Sequence, residues 1–154
     1  VKPFRYYLRV RYGECDAQRV VFNARYGDYM DVAVNEFVRA LGFGDALMNG
    51  DLDFQLVKQT TEWKAPVRFD QVLEISVEAS AVGNTSFTLR AEFRIAGAEP
   101  LMATIETVYV LVEAATLRKT PIPGGLREAL AAGARGAIVD HAAAPGVRGD
   151  TRAG

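Results

Sequence analysis

Near the N-terminus, Leu8, Val10 and Tyr12 alternate with Arg9 and Arg11, the two-residue period of a half-buried strand. The period then changes. Tyr26, Tyr29, Met30, Ala33, Phe37 and Leu41 recur every three or four residues, with Val34 and Val38 widening the stripe and Asp28, Asp31, Asn35 and Arg39 on the other side. This spacing predicts a helix of about five turns over Ala24–Leu41. Asn23 is the expected N-cap, and Gly42 suits the left-handed position that ends many helices.

Beyond Asp53 the pattern becomes that of strands. Phe54 to Ala65 comes first, followed by Val72 to Ala81, where Leu73, Ile75, Val77 and Ala79 alternate with Glu74, Ser76, Glu78 and Ser80. Gly83-Asn84 is a tight-turn signal, and Phe87, Leu89, Ala91, Phe93 and Ile95 alternate with polar residues after it, so these two runs predict a hairpin. Gly97 to Pro100 makes the next turn. Leu101 to Val112 is apolar on both faces at its end, as expected at a sheet centre or under a subunit contact. Gly125 to Ala132 can form a short helix. Residues 133–154, rich in Ala, Gly and Arg, are expected to bury little and to form a low-complexity tail after a domain of residues 1–132. One strand, one long helix and then an antiparallel meander imply an α+β domain whose sheet curls around the helix.

Composition narrows the chemistry. The 154 residues suit one domain with a real core. Lys plus Arg (18) nearly balances Asp plus Glu (19), and no basic stripe is interleaved with aromatics, so nucleic acid is not an expected partner. No apolar run approaches the ~20 residues that span a bilayer, and the first residues lack the charged-then-apolar pattern of a signal sequence. A single cysteine excludes an internal disulfide and fits a reducing, cytoplasmic setting.

The only histidine, His141, falls in the expected tail, which argues against Ser–His–Asp and Cys–His sites. Cys15 borders Asp16, whose charge raises a thiol pKa, so a structural cysteine is the expectation. Paired histidines, Cys-x-x-Cys and Gly-rich phosphate loops are absent from the sequence, and no metal or organic cofactor is expected. Asp16 remains, at the end of the first strand and just before the long helix. Read alone, it is equally an Asx-turn residue.

Three segments decide its company: Cys15-Asp16-Ala17-Gln18-Arg19-Val20-Val21-Phe22-Asn23-Ala24-Arg25-Tyr26, Trp63 through Ile75 with its acidic turn residue Asp70, and Val82-Gly83-Asn84-Thr85-Ser86-Phe87. From about Arg5 to Ile122 the chain resembles the 4-hydroxybenzoyl-CoA thioesterase family of hotdog-fold acyl-CoA thioesterases. The resemblance implies an antiparallel sheet wrapped around one central helix. It also implies dimers or tetramers with active sites between subunits.

Carried across, Asp16 matches the catalytic carboxylate, acting as general base or as nucleophile. Asn23 matches the helix-start position whose N–H polarises the thioester carbonyl. Ser86 matches a small hydroxyl position near the substrate across the interface. Arg19 departs from the Gly of many relatives and is a candidate contact for CoA or for Asp16. Tyr26 could line an acyl pocket, and Arg90, with Arg94, Lys58, Lys64 and Arg68, could meet CoA phosphates. The resulting expectation is hydrolysis of an acyl-CoA to free acid and CoA. Acyl-carrier-protein thioester hydrolysis and non-catalytic acyl-CoA binding are the alternatives; the His-containing site of hotdog dehydratases has no counterpart.

Overall fold

The computed structural model describes residues 1–144 and Gly146. Strand β1 (Phe4–Arg9) leads through a single 3-10 turn, Tyr12–Glu14, to helix α1 (Arg25–Ala40) and a short helix α2 (Gly44–Asn49). Strands β2 (Phe54–Trp63), β3 (Val72–Val82), β4 (Ser86–Ile95) and β5 (Leu101–Leu111) follow, then helix α3 (Gly124–Ala132) and strand β6 (Ile138–Asp140). They form one six-stranded sheet in the order β2-β5-β4-β3-β1-β6. Every pairing is antiparallel except β1 with β6.

The sheet packs one face against α1, the hotdog arrangement that the sequence resemblance implies. Its core side is written by the alternation. Phe4, Tyr6 and Leu8 of β1, Leu73, Ile75 and Val77 of β3, and Leu89, Ala91 and Phe93 of β4 are buried in one cluster with Tyr26, Met30, Ala33 and Phe37 of α1. The Phe4 and Phe37 rings meet edge-on at 5.5 Å, joining helix to sheet. Burying each such large side chain contributes about 1.5–3 kcal/mol, so the stripe rather than helix propensity holds α1 in place. Past its C-terminus, Gly42 adopts φ +93°, the left-handed turn expected of it. β5 lies between β2 and β4, which explains its two apolar faces.

Three sequence expectations are corrected. The N-cap of α1 is Ala24, not Asn23, and no side chain caps the helix; instead the Arg25 N–H donates to the Phe22 carbonyl at 2.9 Å, closing a tight entry turn. Helix α2 was not anticipated, because six residues cannot display a helical period.

The third correction is the expected tail. Its described part is built into the fold: β6 runs parallel to β1, with Arg5 opposite Ile138 and Tyr7 opposite Asp140. Ala142 and Ala144 then cover Tyr7 on the outer sheet face, beside Val72, Ala96 and Ile138. The Asp140 carboxylate accepts hydrogen bonds from the Ala142 N–H at 2.8 Å and the Ala144 N–H at 3.0 Å, fixing the bend. Small residues suffice because they fill the gap over a tyrosine rather than build a core of their own. Residue 145 and residues 147–154 of the expected tail lie outside the described residues.

Candidate active site

The segment after β1 folds into a miniature antiparallel ladder. Cys15 pairs with Val21, the Asp16 N–H donates to the Val20 carbonyl at 2.9 Å, and the Phe22 N–H donates to the Glu14 carbonyl at 3.0 Å. The turn at its tip is closed by the Arg19 N–H donating to the Asp16 carbonyl at 2.9 Å. The Asp16 carboxylate accepts from the Gln18 N–H at 2.8 Å and is otherwise exposed. The Asx-turn reading is thus geometrically real, and it leaves the second carboxylate oxygen unengaged among the described residues.

The ladder hands the chain to α1. Between the Phe22 N–H and the Arg25 N–H, both engaged, the Asn23 N–H has no hydrogen-bond partner among the described residues. The positive end of the helix dipole lies at this same entry, where the chain leaves the ladder arm opposite Asp16. A second loop braces the ladder: the Val21 N–H donates to Val67 at 2.8 Å, the Phe69 N–H donates to Arg19 at 3.0 Å, and Val20 pairs with Arg68. Asp70 takes φ +70°, a conformation that aspartate tolerates better than most residues.

Arg19 also stands at positive φ, +62°. A left-handed non-glycine residue costs about 1–2 kcal/mol, which is the physical reason glycine suits this turn. Its guanidinium forms no ion pair with Asp16 among the described residues. The Val20–Arg68 pairing brings exposed Arg68 to the same corner as Arg19. The other candidate cations are committed elsewhere: Arg90 and Arg94 share Glu92 at 3.5 and 3.2 Å on the outer sheet face, and Lys64 meets Glu62 at 3.5 Å. Lys58 lies exposed on β2.

Tyr26 is buried at 2% exposure, its ring edge-on to Tyr29 and Trp63 and tilted against Phe93. Within one chain it supports the start of α1 instead of lining an open pocket. Ser86 begins β4, at the opposite end of the sheet from Asp16: β1 ends beside Val72, where β3 begins, and β3 runs eleven residues, about 35 Å, before the turn to Ser86. One chain does not bring Ser86 and Asp16 together.

Glu14 was not singled out from the sequence. Its carboxylate accepts from the Arg11 N–H at 2.8 Å, from Arg11 Nε and Nη2 at 3.3 and 3.0 Å, and from the Tyr29 hydroxyl at 2.9 Å. Burial acts to raise its pKa, but these hydrogen bonds and the Arg11 charge prevail and hold it below the ordinary glutamate value. The same contact, added to burial, drives the Tyr29 phenol upward. Burial first, then the Glu14 and Asp16 charges, raise the Cys15 thiol, which supports the structural reading of that residue. The three-residue spacing from Arg11 to Glu14 was the available signal. A glutamine–threonine pair was also missed: Gln59 Nε2 donates to Thr107 Oγ1 at 3.1 Å on the inner sheet face. No group of three or more potential metal ligands exists among the described residues.

An exposed carboxylate and an N–H that is unpartnered among the described residues at the entry of a helix are the kinds of group that attack on a carbonyl uses. Comparison with known proteins gives the family: the pattern of the thioesterase-like superfamily matches residues 10–130. This chain belongs to that superfamily. An Escherichia coli relative, the acyl-CoA thioester hydrolase YbgC, is 34% identical over 122 residues, 78% of this chain and 90% of the relative. The 1,4-dihydroxy-2-naphthoyl-CoA hydrolase of Synechococcus elongatus is 26% identical over 77% of this chain and 88% of its own. Among solved structures, the gentisyl-coenzyme A thioesterase BH1999 superposes with a TM-score of 0.72 at 30% identity, covering 82% of this chain and 98% of that one. The PA5185 protein of Pseudomonas aeruginosa gives 0.78 at 27% identity, covering 86% and 92%. The superfamily match ends before β6, so that strand lies outside the matched region. No helix among the described residues is long and apolar enough to cross a membrane.

Proposed function

We propose that this protein hydrolyses acyl-CoA thioesters to free acid and CoA, with Asp16 as the reacting carboxylate and the Asn23 N–H as an oxyanion donor. The observation that carries this reading is the ladder of residues 14–22, whose first arm bears an exposed carboxylate and whose second arm leads into an N–H, unpartnered among the described residues, just before α1. The thioester carbonyl oxygen sits toward that N–H, and the negative charge that develops on attack is stabilised there; one such donor is worth about 3–4 kcal/mol. As a general base, the Asp16 carboxylate takes a proton from a water whose oxygen attacks the carbonyl carbon, and the C–S bond breaks as the CoA sulfur leaves with that proton. As a nucleophile, the carboxylate attacks the carbonyl carbon itself and expels CoA thiolate, giving a mixed anhydride that water opens to the free acid. Names of relatives at 34% and 30% identity, an acyl-CoA thioester hydrolase and a gentisyl-coenzyme A thioesterase, support the substrate class. Exposed Arg19 and Arg68 are suited to the CoA phosphates.

The working unit is at least a dimer. β2 is an edge strand of ten residues with Leu56, Val57 and Trp63 exposed, a surface that favours pairing. Antiparallel pairing of β2 with a second β2 reverses the partner sheet and carries the partner's β3–β4 turn end, with its serine, toward Asp16. That arrangement supplies the contact which a single chain lacks.

The test is CoA release from acetyl-, medium-chain, long-chain and aromatic acyl-CoAs by the native protein and by Asp16→Asn. Asparagine keeps the oxygen to which the Gln18 N–H donates, so the turn survives while the ionisable group is lost. A fall of about 10²–10⁴-fold is expected. Equal rates would refute the role of Asp16, and binding of acyl-CoA without any release would refute hydrolysis.

A further inference from the structure

We propose that Glu14 is a positioning residue for this reaction, tying the segment that carries Asp16 to α1 through Tyr29 and closing the turn that follows β1 on Arg11. The inference rests on the reading of Asp16 as the reacting group. The Glu14 side chain is only 13% exposed and accepts four hydrogen bonds: the Arg11 N–H and the Tyr29 hydroxyl on Oε1, and Arg11 Nε and Nη2 on Oε2. Its main chain is engaged as well, the carbonyl accepting from the Phe22 N–H and the N–H donating to Arg11. One residue thereby links the stretch that follows β1, the second turn of α1 and the returning arm of the ladder.

Its place along the chain gives this hub a consequence at Asp16. Glu14 and Asp16 flank Cys15, the residue paired with Val21, so they leave the same side of the short ladder. Fixing Glu14 against Tyr29 restrains Asp16, two residues on, relative to the entry of α1, where Asn23 precedes the N-cap Ala24. A carboxylate and an oxyanion donor must meet one carbonyl group at about 3–3.5 Å, and a shift of 1 Å costs roughly 10²-fold in rate. Among the described side chains of this segment, Glu14 is the one hydrogen-bonded to the buried Tyr29 of α1; from the helix start, Arg25 Nη2 adds a longer contact to the Gly13 carbonyl at 3.5 Å. Glu14 touches no reacting atom; it acts through the placement of Asp16.

The experiment compares native protein, Glu14→Gln, Tyr29→Phe and Asp16→Asn. For each, kcat and KM are measured on whichever acyl-CoA of the panel the native protein hydrolyses fastest, together with the thermal midpoint and the rate at which iodoacetamide alkylates Cys15. Cys15 is the only cysteine and sits between the two carboxylates; burial and then their charges raise its thiol, so its alkylation reads the order of the ladder through Tyr29→Phe, which changes no charge. Glu14→Gln keeps the shape but releases Arg11; Tyr29→Phe removes only the hydroxyl. The expected result is a fall in kcat of about tenfold or more for Glu14→Gln and a smaller fall for Tyr29→Phe, KM within about threefold, and faster Cys15 alkylation in Tyr29→Phe.

Native kcat in Glu14→Gln alongside an inactive Asp16→Asn overturns the positioning role and leaves the reading of Asp16 standing. A loss confined to KM, or one that only tracks a lowered thermal midpoint with unchanged kcat in the folded fraction, overturns it too. Full activity of Asp16→Asn overturns the Asp16 reading itself and this inference with it; Cys15 alkylation then still reports whether Glu14 holds the ladder.

Discussion

Replacing His141 by alanine tests whether the C-terminal segment is part of the folded domain. His141 Nδ1 and the Tyr6 hydroxyl share a hydrogen bond of 2.8 Å, and the two rings meet edge-on at 5.1 Å. Tyr6 is 3% exposed, and burial, with help from the Glu36 charge and against that of Arg11, pushes its phenol up to about 12. It therefore remains a neutral O–H at any ordinary pH. The hydrogen bond contributes about 0.5–1.5 kcal/mol net, and an edge-on aromatic contact about the same again. Because His141 itself is exposed, water can reach the phenol once the imidazole is gone, which keeps the loss toward the low end. We expect about 1–2 kcal/mol, equivalent to roughly 2–8 °C in thermal midpoint for a chain of this size. Urea unfolding of native protein, His141→Ala, Tyr6→Phe and the double variant gives the coupling directly, since the two residues touch. A coupling energy within error of zero, with His141→Ala as stable as the native protein, would refute the docking of this segment on β1.

Arg19→Gly relieves a left-handed non-glycine residue and is expected to leave stability unchanged or raise it by up to about 1 kcal/mol in denaturant titration, while weakening CoA binding measured by calorimetry. Tighter CoA binding would contradict the role given to the guanidinium. Glu14 carries an acid limb of stability. Its folded pKa lies below the ordinary value of 4.5, so its contribution is fully present above that value and is lost as pH falls through the folded pKa. Glu14→Gln is therefore expected to be less stable than the native protein at neutral pH and to approach it as pH falls through the folded pKa, as followed by thermal melts across pH; a constant difference would argue against an ionised Glu14 in the fold.

Much of this protein is legible along the chain because local periodicity reports what the core demands. Tyr26 through Leu41 had to be one helix, and the strands from Phe54 to Leu111 had to alternate, since each buries a single continuous stripe or face. The ladder segment carried its own signature, with Asp16 close ahead of the helix. What needed the tertiary structure were contacts whose partners are distant or whose residues are chemically plain. Ala142 and Ala144 look incapable of building a core, and they become useful only because Tyr7 already stands on the outer face with a gap above it. His141 acquires a partner only when β6 aligns beside β1. Asn23 looked like a cap and is not one, because the Phe22 carbonyl satisfies the Arg25 N–H first. Glu14 reads as one more surface acid until Tyr29, fifteen residues on, is folded against it. Sequence thus determined the elements and the chemical groups, through short-range periodicity and residue type. Tertiary structure decided which groups share a hydrogen bond, because that depends on which backbone segments the packed core brings side by side.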